Sequence, residues 1–375
     1  MRFLVKTLWA GMNTATFRAC TLASCVVAVL FAGGTSARDD GPKPWSAKAA
    51  AVYLDARLSW WADWSHAGRD HHTFCVSCHT VVPYAMARAS LRSDLEEQAP
   101  APMERAVLEN VTTRVRMWDA VDPFYDGPRA LQSRGTEAVL NALILVTYEV
   151  SSEALSPQTR LAFDYMWAQQ LKAGADAGAW PWLEFQNAPF EGDSRYYGAT
   201  LAAIAVGSAP ASYRSAPEIQ AGMQLLREYL LRDYASQILL DRVMLVWASS
   251  KLPELLTPAQ QRSIIEEVLS KQQVDGGFSL SSLVGAWQRR DRTPQESRSD
   301  GYATGLVALV LREAGIASAQ PQLQRAIAWL EQNQDKDGRW LAYSLNKRRD
   351  LNSDVGRFMS DTATAYAVLA LKRAN

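Results

Sequence analysis

The stretch from His66 to His79, His-Ala-Gly-Arg-Asp-His-His-Thr-Phe-Cys-Val-Ser-Cys-His, holds all 4 histidines of the 375-residue chain. It also holds Cys75 and Cys78; the remaining cysteines, Cys20 and Cys25, lie near the amino terminus. Cys75-Val-Ser-Cys78-His79 is C-x-x-C-H, a spacing whose residue types suit c-type haem attachment. Two thiols separated by two residues can add to the two haem vinyl groups, and the adjacent imidazole reaches the iron as proximal ligand. The same residues serve two other chemistries. One is a small disulfide between Cys75 and Cys78 in an oxidising compartment. The other is a zinc site using Cys75, Cys78, His79 and His71 or His72.

The motif resembles that of c-type cytochromes over these five residues, not over a cytochrome domain. The resemblance implies haem c held by Cys75 and Cys78, with His79 on the iron. Met86 is a poor sixth ligand, because seven residues along one helix is about 10.5 Å of rise on the side of His79. His71 and His72 would need a tight wrap around the haem edge. Met103 and Met117, on the following helix, are freer to reach the far face; otherwise the site is five-coordinate and open to small ligands.

Met1 to Ala37 carries Arg2, Lys6 and Arg18, no acid, an apolar run from Cys20 to Ala32 and a small-residue end, Thr35-Ser-Ala37. This reads as a secretory signal peptide cleaved after Ala37, hence a periplasmic or secreted protein of residues 38–375. The apolar run is too short for a stable membrane span. The chain has 39 Lys and Arg against 39 Asp and Glu, and nothing in this balance suggests nucleic acid. No Gly/Ser-rich or Pro-rich linker divides the remainder, so it reads as one domain.

Two kinds of helical segment alternate. Six are amphipathic: Trp45–Trp64, Met103–Trp118, Pro157–Leu171, Pro217–Tyr234, Pro258–Gln272 and Pro321–Asn333. Ser156-Pro157 and the capping boxes Ser215-Ala-Pro-Glu218 and Thr257-Pro-Ala-Gln260 mark helix starts. Between them recur segments rich in small and apolar residues: Pro83–Arg92, Ser133–Leu143, Ser194–Ile204, Asp241–Ala248, Ser299–Leu309 and Ser360–Ala370. With no β pattern in competition, this predicts an all-α closed double ring, six polar-faced helices outside and six buried ones inside. Three outer segments end in related turns, Gln170 to Trp180, Gln272 to Phe278 and Gln332 to Trp340. In each, glycine stops the helix and an aromatic residue folds back on it.

These Gln…Gly-x-Trp turns resemble those of the terpenoid-cyclase and protein-prenyltransferase α/α toroids, most clearly from Gln272 to Lys372. The resemblance implies the toroid fold and a central cavity, but only parts of the family's chemistry. Squalene-type cyclases use an Asp-rich motif ending Asp-Asp-Thr-Ala, and here Ser360-Asp361-Thr362-Ala363 keeps only the last acid. A lone Asp361 at a helix start is expected to ionise and cap. The zinc cysteine of the prenyltransferases has no counterpart.

Glu137, Asp193, Asp241, Asp300 and Asp361 open inner helices beside Arg134, Arg195, Arg242 and Arg298. If the inner helices run the same way, these groups meet at one end of the cavity, either as helix caps or as a catalytic ring. Tyr196, Tyr197, Tyr302 and Tyr366 lie in the same turns and would line a pocket for a small-molecule, isoprenoid or glycan ligand. Arg290 and Arg348, in the loops 288–298 and 346–350, would form a basic rim over the mouth. The expectation is an exported toroid carrying haem c, with a redox or electron-transfer role and a periplasmic redox partner. The alternatives are a non-redox lyase, hydrolase or cyclase using the carboxylates, and a ligand-binding protein without catalysis.

Overall fold

Proline at the first helical position opens five of the polar-faced helices, because its missing N–H is one that no helix start can pair in any case. These are α3 (Pro102–Arg116), α5 (Pro157–Gln169), α8 (Pro217–Asp233), α10 (Pro258–Leu269) and α12 (Pro321–Gln332). The sixth, α1 (Ala47–Asp63), is capped by Ser46, whose Oγ accepts from the Ala49 N–H at 3.1 Å. Between them run α2 (Val81–Arg88), α4 (Ala130–Thr147), α6 (Arg195–Ser208), α9 (Leu239–Lys251), α11 (Gly301–Glu313) and α13 (Phe358–Lys372), which are buried along most of their length. A single turn, α7 (Ala211–Arg214), precedes α8. The computed structural model describes residues 45–149, 153–185, 188 and 194–372. The leader expected over Met1–Ala37 lies outside them, as does Asp193.

The described residues are helical, with no named strand; an isolated bridge pairs Gly68 with Phe74. None of their helices is long and apolar enough to cross a membrane. Helices α2, α4, α6, α9, α11 and α13 pack each on the next, and α13 packs back on α2. The polar-faced helices cover this cycle: α1 on α2 and α13, α3 and α5 on α4, α8 on α6, α10 on α9, and α12 on α11 and α13.

The three glutamine turns join one polar-faced helix to the following one. The Gln170 amide donates to Gly178 O (3.1 Å) and, in α8, to Gly222 O (2.9 Å). Gln272 donates to Gly276 O and to Gln322 O of α12. In the third turn Gln334, not the Gln332 that the sequence pattern marks, donates to Gly338 O (2.9 Å) and to Ser46 O (3.1 Å) before α1. The turn after α12 is thereby tied to the start of α1. The following aromatic folds back: the Trp180 indole donates to Met166 O and that of Trp340 to Leu330 O, both in the preceding helix.

Gly338 shows what the turn demands. Its φ is +92°, and a Cβ there would stand 2.1 Å from Ala49 O of α1. Gly338→Ala is expected to cost about 2–4 kcal/mol, combining left-handed strain with a backbone clash. Gly315→Ala carries the strain alone, with φ +75° and open space around it, and is expected to cost about 1 kcal/mol. Urea unfolding midpoints of the two variants separate the terms; equal losses would show that the contact with α1 contributes nothing.

Candidate functional site

The Cys75–His79 segment is held from three sides before it enters α2. Asn110 of α3 accepts from the Phe74 N–H at 2.7 Å and donates to Phe74 O at 3.1 Å, acting as a one-residue strand partner. The Trp61 indole donates to Cys75 O (2.8 Å), and the Cys75 N–H to Ala67 O (2.8 Å). Ser77 Oγ accepts from the Thr80 and Val81 N–H groups, satisfying donors at the start of α2. Behind this loop Arg114 of α3 reaches Thr73 Oγ1 at 2.8 Å while paired to Glu137 of α4 at 2.5 Å.

Cys75, Cys78 and His79 line one cavity of about 100 Å³, with Trp182, Tyr197 and Tyr302 among its other walls. It shares Trp61, His79, Tyr125, Phe185 and Met359 with an outer chamber of about 280 Å³. Residues from the first turns of α6, α11 and α13, with Thr136 of α4, meet here at the start of α2, so these inner helices do bring their beginnings to one end.

His79 is boxed in by aromatics, stacked on Phe358 (4.0 Å, 26°) and edge-on to Trp61 (5.1 Å). Burial, with Arg57 adding, pushes its pKa down to about 3, so the ring is neutral. Its Nδ1 lies 2.9 Å from Thr80 Oγ1, and the Thr80 hydroxyl donates to Asp361 Oδ2 at 2.8 Å. A hydroxyl that gives its only proton to a carboxylate can only accept from the ring. The neutral imidazole therefore carries its proton on Nδ1 and leaves Nε2 as a lone-pair donor. Asp361 also accepts from Tyr53 and from Arg57 Nε, each at 2.8 Å. Burial raises its carboxyl above the ordinary value and Arg57 opposes this; three donors and no acceptor surround it, so the ionised form is the one accommodated.

This geometry corrects several expectations. Asp361 is no helix cap, and it stands behind Thr80, outside the cavity lining. Glu137 is paired to Arg114, and burial raises its carboxyl. Asp300 caps α11, accepting from the Ala303 and Leu280 N–H groups, and burial pushes it up to about 7. Asp241 is buried in α9, likewise off the cavity. No carboxylate ring lines the chamber among the described residues, because helix starts and buried arginines take these groups up.

Of the tyrosines, Tyr197 and Tyr302 line the cavity. Tyr366 lies behind them, hydrogen-bonded to both. The Tyr196 hydroxyl points away, donating to Leu230 O. Neither Met103 nor Met117 reaches the chamber: Met103 packs against the core and Met117 ends α3. Met359, two residues before Asp361, lines both chambers instead. The zinc arrangement fails on position. His71 and His72 sit exposed in a left-handed turn, and no three His, Cys, Asp or Glu side chains among the described residues gather as metal-ion ligands. No disulfide joins Cys75 to Cys78.

The rim loops lie at the His79 end. The Arg290 N–H donates to Asn346 O and its guanidinium to Phe185 O, while the Arg348 N–H donates to Asp291. Asn346 and Arg349 line the outer chamber together with His79.

The donor set suits a c-type haem: two thiols and an imidazole that keeps a lone pair on Nε2 open on one aromatic-walled cavity. Thr80, Arg57 and Met359 are the functional candidates that the sequence did not mark, and only the adjacency of Thr80 to His79 gave any signal; Arg349 belongs to the rim loop 346–350 that the charge pattern marks. Comparison with known proteins finds no family model and no curated protein that matches the chain.

Proposed function

We propose that this chain is an exported α/α toroid of the squalene-cyclase-like class that carries a covalent haem c and serves periplasmic redox or electron-transfer chemistry. One observation carries the reading: Cys75, Cys78 and a neutral His79 line a single cavity in which no described carboxylate competes. The closed cycle of buried helices and the three glutamine turns support the toroid class. The basic, apolar and small-residue pattern of Met1–Ala37 supports export.

Cys75 and Cys78 would hold the group, each through a thioether formed by adding its S–H across one vinyl C=C with no group leaving. Burial pushes the Cys75 thiol up to about 12, and Asn110 clamps the residue before it. His79 offers Nε2 to the iron while Thr80 and Asp361 hold the ring through Nδ1, the outer-shell support typical of a metal-bound imidazole. When bound, the haem supplies a one-electron couple. Trp61, Phe358 and Trp182 exclude water around it.

The test is expression with c-type maturation machinery, followed by denaturation and organic extraction. Haem that stays with the polypeptide at one per chain is the expected result. A colourless protein from a strain that loads a control cytochrome would overturn the proposal.

A further inference from the structure

The outer chamber has a chemistry of its own. Two aromatic pairs wall it, Trp64 with Phe358 (6.2 Å) and Tyr125 with Phe185 (5.1 Å). At its lip stands Arg349, half-buried, whose guanidinium makes no hydrogen bond or ion pair with the described residues. The acids of the same loops are engaged elsewhere: Asp350 accepts from the Asn352 N–H, Asp291 from the Thr293 and Arg348 N–H groups, and Glu296 pairs with Arg289. The lip is positive in consequence, with Lys347, Arg348 and Arg290 exposed beside Arg349.

Aromatic walls alone suit either a cation over the ring faces or a flat apolar body. Arg349 decides between them. A cation would meet like charge in a partly desolvated cleft, and that repulsion exceeds what ring faces return. An anionic group gains a paired, charge-assisted bond to the guanidinium.

We propose that the cavity mouth is a carboxylate-binding site, holding a flat conjugated body between the ring pairs and its carboxylate on Arg349. Such a carboxylate has two sources, a free small molecule or the propionate edge of the haem proposed above; only the second rests on that reading.

The experiment uses the haem-free wild-type chain, made without maturation machinery. It is titrated with 2-naphthoate, with neutral 2-naphthylmethanol, and with haemin and haemin dimethyl ester, following tryptophan fluorescence because Trp61 and Trp64 line the mouth. A carboxylate preference of about tenfold over the matching neutral probe is expected, lost in Arg349→Leu and partly kept in Arg349→Lys. The neutral probes should bind Arg349→Leu as they bind wild type, which also shows that the variant folds. A preference seen with both 2-naphthoate and haemin assigns the site to free carboxylates. A preference with haemin alone assigns it to the propionate. An equal preference in wild type and Arg349→Leu, or none in either, overturns the proposal. Failure of covalent haem retention with the naphthoate preference intact would overturn the haem reading and leave this one standing.

Discussion

Replacing Cys75 and Cys78 together with alanine is expected to abolish covalent haem completely, while either single replacement leaves haem attached through one thioether. The effect is all-or-none because the chain offers no substitute: Cys20 and Cys25 lie in the expected leader, and no other cysteine exists. The two thiols differ in setting, Cys75 being buried and Cys78 half-buried, but both open on the same chamber. His79→Ala is the informative companion, since it removes the axial nitrogen and leaves both attachment points. That variant should retain haem through denaturation yet show the altered absorption and ready carbon monoxide binding of a site lacking its proximal ligand. Met359→Ala tests a methionine sixth ligand, since among the described methionines Met359 lines both chambers; unchanged spectra would remove it as a ligand. If the double cysteine variant keeps its haem after organic extraction, the attachment chemistry is wrong whatever the cavity looks like.

The fold was more readable in the sequence than the site was. Proline at Pro157, Pro217, Pro258 and Pro321 fixes where helices begin through a constraint local to one residue, and the small-residue segments mark burial by composition alone. Glutamine turns were visible as a pattern, but which glutamine acts was not: Gln332 and Gln334 both precede Gly338, and only the position of Ser46 selects Gln334. The carboxylates show the opposite failure. Asp300 and Asp361 fall at inner-helix starts as the pattern says, whereas Glu137 sits inside α4, and the partners of all three, Leu280, Arg57 and Arg114, lie 20 or more positions away along the chain. A residue type at a helix start says that a charge needs a partner and leaves open whether that partner is a cap, an arginine or a substrate. The same holds for methionine, where Met359 qualifies only because the start of α13 reaches the chamber around His79.

Asp361→Ala is expected to be the most destabilising single substitution at the site, costing about 3–5 kcal/mol, because it removes the buried carboxylate that three donors share. Asp361 and Arg57 are 1% and 2% exposed, so water cannot replace the lost partner. Arg57 would keep only Asp354, donating from Nη1 to its carboxylate at 3.0 Å and from Nη2 to its backbone oxygen at 2.8 Å, and Tyr53 and Thr80 would lose their acceptor. The cluster joins α1, the turn into α2, and α13, the three pieces that bring the chain's last described helix back to its first. Asp361→Asn keeps the shape and one oxygen but turns an amide N–H₂ toward donors, and should fall between wild type and alanine. The double replacement Arg57→Met with Asp361→Leu should lose less than Asp361→Ala alone, since it removes the charge left without a partner as well as the partner. Thr80→Val, with the carboxylate intact, should cost about 1 kcal/mol and free the His79 ring from its tether. Urea unfolding of the haem-free chain measures all four. A loss below about 1 kcal/mol for Asp361→Ala would mean that water or Asp354 satisfies Arg57. The Thr80 tether would then have no fixed anchor, and the orientation of His79 would have to come from Phe358 and Trp61 alone.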